Sequence, residues 1–165
     1  MIAPKNDPDF QIYDTVRYAG NHNWYVIGKQ GDTVTLLAKD AEFGRSKFDE
    51  DSPDYATSFI RNRLNTAVLQ ELLDNGAKLL PMSLPDIGCR DMVAVLSADE
   101  AHGLPKKLRE FCGAWWLRTA AGRFDYSAVY VAPSGGIYDS GFGDGVVHRQ
   151  KFLRPVIKVS MAELI

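Results

Sequence analysis

Gly113-Ala114-Trp115-Trp116-Leu117-Arg118-Thr119, answered further along by Phe152-Leu153-Arg154-Pro155-Val156-Ile157, is the pair of stretches whose reading decides the fold. Both are dense in aromatic and β-branched residues and read as strands, and each carries one arginine. Between them lies a segment crowded with Gly, Tyr, Asp and Ser. Two apolar anchors bracketing a loop-rich insert form the arrangement in which a rigid frame displays a recognition surface.

Working outward from the anchors, the C-terminal third reads as β: Trp115 to Thr119, Ala128 to Ala132, Ile137 to Tyr138 and Leu153 to Val159, with Pro133-Ser134-Gly135-Gly136 as a hairpin turn. The N-terminal part is also β. A short strand spans Thr15 to Tyr18. Trp24 to Lys29 and Thr33 to Ala38 then flank a Gln30-Gly31-Asp32 turn, which predicts a hairpin. Glu42 to Tyr55 is polar and reads as a long loop.

Ile60, Leu64, Val68 and Leu72 recur every four residues and predict a helix over Ser58 to Asn75. Phe59, Ala67 and Leu73 widen its apolar stripe, Thr57 or Ser58 caps it, and Gly76 ends it. Arg61, Asn62, Arg63 and Asn65 fall on its polar side. Lys78 to Pro85 reads as an extended link and Met92 to Leu96 as a buried strand. Ser97-Ala98-Asp99-Glu100 is a capping box opening a short helix that Gly103 stops, and Pro105 to Phe111 adds another turn or two. Residues 1–9 read as an irregular arm and 10–165 as one domain, a length that suffices for a full core. The order of elements predicts an α+β fold in which one long and one or two short helices segregate from an antiparallel sheet.

Composition excludes several function classes. A formal net charge of −2 leaves no basic footprint for nucleic acid, and Lys106-Lys107 with Arg109 reads as a solvated face. Cys89 and Cys112 have neither a CxxC nor a Cys/His ligand spacing, so no zinc or redox motif follows, and both are expected as small buried hydrophobes. No metal or cofactor is expected. No run of about 18 apolar residues is present, and Met1 to Asp7 does not lead into an apolar stretch, so neither a membrane span nor a signal peptide is expected.

The motifs Trp24-Tyr25-Val26-Ile27, Leu36-Leu37-Ala38, Ser58-x-Ile60-Arg61-x-x-Leu64-Asn65, Val95-Leu96-Ser97-x-x-Glu100, Trp115-Trp116-Leu117-Arg118-Thr119, Ser134-Gly135-Gly136-Ile137 and Leu153-Arg154-Pro155-Val156-Ile157 stand in one order. In that order the chain from about Tyr13 to Val159 resembles an uncharacterised domain family of bacteria and their phages related to the C-type lectin fold. It is more distantly similar to sulfatase-modifying-factor-like domains and to the variable proteins of diversity-generating retroelements. The resemblance implies a C-type-lectin-like fold whose last third presents ligand-facing loops, and a cytoplasmic or phage-associated protein if the chain is complete. The tripeptides by which calcium-dependent animal lectins hold sugar, Glu-Pro-Asn or Gln-Pro-Asp together with Trp-Asn-Asp, are absent. No cysteine pair matches the reactive pair of the formylglycine-generating relatives.

The function expected is therefore non-enzymatic recognition of a glycan or protein ligand through the C-terminal loops. The residues expected to contact it are Trp116, Arg118, Arg123, Asp125, Tyr126, Tyr130, Tyr138, Asp139, Phe142, Asp144, His148 and Arg149, because Tyr offers area at low entropic cost while Ser and Gly adapt. Trp115 and Trp116 are adjacent and point to opposite faces of a strand, so one is core and the other is core or a stacking platform. The alternatives are an assembly domain that self-associates through a flat aromatic face, and an enzyme of the sulfatase-modifying-factor-like fold using Cys112 or His148. Ser127, Ser134 and Ser140 lack the context of a hydrolytic nucleophile.

Overall fold

A computed structural model describes residues 6–121, 127–138, 144–145 and 150–165; for 144–145 only the backbone is considered. The fold is mixed α+β with mostly antiparallel sheets. Strands β1 (Thr15–Arg17), β2 (Asn23–Gln30) and β3 (Thr33–Ala38) form an N-terminal meander in which the predicted hairpin is β2–β3. Gly31, at φ 58°, supplies the left-handed turn between the last two. The loop expected over Glu42 to Tyr55 is interrupted by β4 (Arg45–Ser46). After the long helical region β5 (Leu79–Leu80) and β6 (Met82–Leu84) fall within the extended link expected over Lys78 to Pro85, and β7 (Cys89–Asp91) follows it. The C-terminal third supplies β8 (Trp115–Ala120), β9 (Ser127–Val131), β10 (Ile137–Tyr138), β11 (Asp144–Gly145), β12 (Lys151–Phe152) and β13 (Val156–Ser160).

Two sheets carry the architecture. The first has the order β1-β2-β3-β13-β5. The second has the order β10-β9-β8-β12-β4, with β11 also on β9, and β6 and β7 pair as a separate ribbon. Pairing is antiparallel except between β12 and β8. The chain passes from one sheet to the other at Leu153-Arg154-Pro155, so the single strand expected over Leu153 to Val159 is instead this crossing followed by β13. Leu153 N donates to Gly44 O, and Pro155, which has no N–H, contributes only its carbonyl, accepting from Ala38 N at 2.9 Å.

Arg154 closes the junction. Its Nε donates to Ala38 O and its Nη1 to Leu108 O, both at 2.9 Å. The guanidinium lies 4.5 Å from the Phe111 ring centroid and 4.6 Å from that of Trp115. The residue is fully buried, and among the described residues Nη2 has no hydrogen-bond partner. Burial pushes its pKa down to about 10.

The predicted long helix is present as α1 (Phe59–Arg63), a π turn (Leu64–Val68) and α2 (Leu69–Asp74) in succession. Ser58 caps it through Arg61 N, and Gly76 follows it at φ 87°. Ile60, Leu64, Val68 and Leu72 are buried as expected. Phe59, Ala67 and Leu73 are exposed, so the apolar stripe is narrower than its composition suggested. Asn65, assigned to the polar side, instead holds the neighbouring chain: its Nδ2 donates to Arg61 O and Val93 O, and its Oδ1 accepts from Val93 N.

That clamp explains why Met92 to Leu96 is buried from Val93 onward without being a strand. Its backbone groups are met by the Asn65 side chain, by a single bridge between Ala94 and Val156, and by Arg118, whose N donates to Leu96 O. Helix α3 (Ala98–His102) has the expected capping box, and α4 (Lys106–Arg109) follows. Arg109 is not a solvated charge, because its Nε donates to Gly135 O and its Nη1 to Leu104 O, docking the β9–β10 turn onto α4.

Residues from both sheets and the helices share one hydrophobic cluster that includes Trp24, Leu36, Ile60, Leu72, Trp115, Trp116 and Ile157. The cysteines depart from expectation. Cys112 is exposed on a bend ahead of β8, and Cys89 is half-exposed at the start of β7 in the small two-stranded ribbon. Among the described residues no helix is long and apolar enough to cross a membrane.

Candidate functional site

The second sheet aligns three of the expected residues in one cross-strand row. Tyr138 on β10 pairs with Tyr130 on β9, and Tyr130 pairs with Trp116 on β8. Directly opposed residues share a face, so the three rings run across the sheet side by side. The Tyr130 and Tyr138 rings stack with centroids 5.2 Å apart and 24° between planes. Lys151 on β12 extends the row, its ammonium 4.1 Å from the Tyr130 centroid and 5.2 Å from that of Trp116. A cation over two aromatic faces in a largely desolvated setting stabilises their arrangement by about 1–2 kcal/mol.

The row grades from core to solvent. Trp116 has no exposed surface, its Nε1 donates to Ser46 O at 2.8 Å, and Phe48 meets its ring edge-on at 5.4 Å. Trp115 is equally buried, with Nε1 on Arg109 O. Both tryptophans are therefore core, and Trp116 offers no stacking face, because β4 and Phe48 cover it. Tyr130 is half-buried, and Tyr138, 40% exposed, forms the open end.

Arg118 lies beyond a register shift in β8, between Trp116 and Ala120. It is buried and already saturated: Nε and Nη2 grip Asp86 bidentately, while Nη1 reaches Val95 O and Glu100 Oε1, each at 2.8 Å. Hydrogen bonding to Arg118 holds the Asp86 carboxyl below its usual range. Burial opposes the Arg118 charge, but the two carboxylates more than restore it and hold its pKa above the usual arginine value. A ligand would have to displace a carboxylate to reach it. Arg118 thus fastens β8 to α3 and to the loop carrying Asp86 rather than standing open as a contact residue.

Of the other expected site residues, Arg123, Asp125, Tyr126, Asp139, Phe142, His148 and Arg149 lie outside the described residues. The backbone of Asp144 pairs with Ala128. Tyr138 and the Asp144 backbone pair with Tyr130 and Ala128 of β9, and Ala121 N donates to Ser127 O at the start of the same strand.

Sequence reading missed Lys151 and the Ser46/Phe48 cover. A lysine just before the Phe-Leu-Arg-Pro anchor hinted at a cation beside an aromatic strand, but the parallel β12–β8 pairing that delivers it has no local signature. A cavity of about 570 Å³ runs along the long helix, where Arg61 and Asp91 pair bidentately and satisfy each other. No group of three or more His, Cys, Asp or Glu among the described residues could hold a metal ion.

No family model, curated protein or solved structure matches this chain.

Proposed function

We propose that the domain is a non-enzymatic recognition module of C-type-lectin-like fold that binds a glycan at the open end of the aromatic row. One observation carries this reading: Tyr138, 40% exposed, stacks on Tyr130, which Lys151 backs. A phenol ring braced from behind loses little freedom when a sugar face stacks on it, which is what makes an aromatic an efficient contact. The fold reading draws support from the placement of the chain ends. Strands β1 and β13 belong to one sheet, and Asn6 ties the N-terminal arm to Leu164 O at 2.8 Å. A second sheet is built mainly from the C-terminal third. Because the calcium-chelating tripeptides are missing, binding is calcium-independent.

The test is a glycan array, with surface proteins printed alongside, probed with and without calcium by the wild type and by Tyr138→Ala. The expected result is a glycan hit unaffected by calcium and weakened about tenfold in Tyr138→Ala, the loss of one stacking contact, with the melting temperature unchanged. A hit that survives the substitution, hits confined to proteins, or silence under both conditions would overturn the reading.

A further inference from the structure

A second cavity, of about 430 Å³, opens between the N-terminal sheet and the end of α3, apart from the aromatic row. Its floor is another cross-strand row: Gly28 on β2 pairs with Thr35 on β3, and Thr35 pairs with Lys158 on β13. Two of these three positions carry short side chains, which is why the floor is hollow. A Cβ added at Gly28 would stand 3.5 Å from Thr35, an ordinary contact, so nothing else fills the space there. Leu84, Leu96, Leu104 and Val156 supply the apolar part of the walls, beside Ser83 and Glu100.

The charges on the lining are unequal. Glu100 borders the cavity, but its Oε1 is already held by Arg118 Nη1 and Ser97 N. Lys158 has neither an ion pair nor a side-chain hydrogen bond among the described residues. The hollow therefore combines an apolar body with one cation, Lys158, whose ammonium no described side chain holds.

Tyr13 stands at the rim in an unusual backbone state. Its φ is 73°, a left-handed conformation that bulky residues avoid. It is held there by Tyr13 N on Val26 O at 2.6 Å, Val26 N on Asp14 O at 2.9 Å, and the turn closed by Gln11 N on Asp14 Oδ2. Backbone strain that the surroundings enforce, bringing an aromatic ring to the edge of a cavity, is the kind found at ligand clamps.

We infer that this cavity is a binding site for a small organic carboxylate with a flat apolar body: the carboxylate accepts from Lys158 Nζ, the body lies between Leu96 and Leu104, and Tyr13 covers the entrance. A volume of this size suits such a molecule. The site is independent of the aromatic row, so either can fail without the other.

The probe is 2-naphthoate, titrated into the 15N-labelled full chain and followed by amide chemical shifts, with the neutral 2-naphthamide as its isostere. Saturable shifts centred on Gly28, Thr35, Gly103 and Leu104 are expected. The amide should bind about tenfold more weakly than the acid, the difference made by one charge-assisted hydrogen bond, and Lys158→Met should erase that preference. Gly28→Leu, which fills the hollow from the floor, should abolish binding while leaving the spectrum otherwise that of the folded protein. Equal affinity for acid and amide, shifts centred elsewhere, or no saturable shifts would overturn the inference.

Discussion

Two buried tyrosines should respond with opposite signs to the same substitution. Tyr55 is 1% exposed and packs against Phe48 with ring centroids 6.3 Å apart, yet among the described residues its hydroxyl has no hydrogen-bond partner. The Val95 backbone acts on that hydroxyl but does not meet hydrogen-bonding geometry. Tyr18 is 3% exposed and its hydroxyl is fully used: it donates to Glu163 Oε1 and accepts from Lys78 N, both at 2.8 Å. A buried hydroxyl without a partner costs about 1–3 kcal/mol, so Tyr55→Phe removes a penalty while keeping the ring and should stabilise the fold by about 1–2 kcal/mol. For a chain of this length that raises Tm by about 2–8 °C. Tyr18→Phe strips a carboxylate of a donor and an amide of its acceptor, and should destabilise by about 2 kcal/mol.

The pH dependence of the pair sharpens the test. Burial is the largest cause raising both phenols above the ordinary tyrosine range, with Asp91 adding to it at Tyr55 and Glu163 at Tyr18. The folded chain therefore keeps protons that the unfolded chain releases once pH passes about 10. Their contribution is complete below that pH and is lost above it, at about 1.4 kcal/mol per pH unit for each phenol. Arg154 works the other way above pH 10, because its depressed pKa makes the folded state the one that sheds a proton. Comparing wild type with Tyr55→Phe cancels that contribution and isolates one phenol. The advantage of the variant should be flat from pH 7 to 9 and grow by about 1.4 kcal/mol by pH 11. Urea denaturation at these pH values measures it. A destabilised Tyr55→Phe at pH 7, or an advantage that shrinks with rising pH, would refute the reasoning.

Two further substitutions probe the frame. A Cβ on Gly113 would lie 2.4 Å from Phe152 Cε2, and Phe152 is packed edge-on against Phe111, so Gly113→Ala should cost about 1–3 kcal/mol in chemical denaturation; a change below a few tenths would mean that the ring moves aside freely. Ser97→Ala removes the acceptor for Glu100 N and half of the capping box, with an expected loss of about 1 kcal/mol by the same measurement.

Much of this protein is written in local chemistry. The β2–β3 hairpin follows from β-branched and aromatic runs around a turn that needs a left-handed glycine. The Ser58 and Ser97 caps follow from hydroxyls placed where helix amides lack partners, and the buried row Ile60, Leu64, Val68 and Leu72 follows from helical period. Each of these reports an interaction among residues a few positions apart, so the sequence alone determined them. The tertiary structure decided everything that depends on a partner far along the chain. Arg154 and Pro155 switch the strand between sheets because Ala38 and Leu108 wait there with free carbonyls. Val93 forgoes a strand because the Asn65 side chain takes its amide and carbonyl. Phe59 and Leu73 face water because only one stripe of the helix meets the sheets. Trp116 became core and Tyr138 the open end of the same row through cross-strand register, and Lys151 reached that row through a parallel pairing. Register and burial are set by which surfaces meet, and a list of residues does not carry that information until the chain has folded on itself.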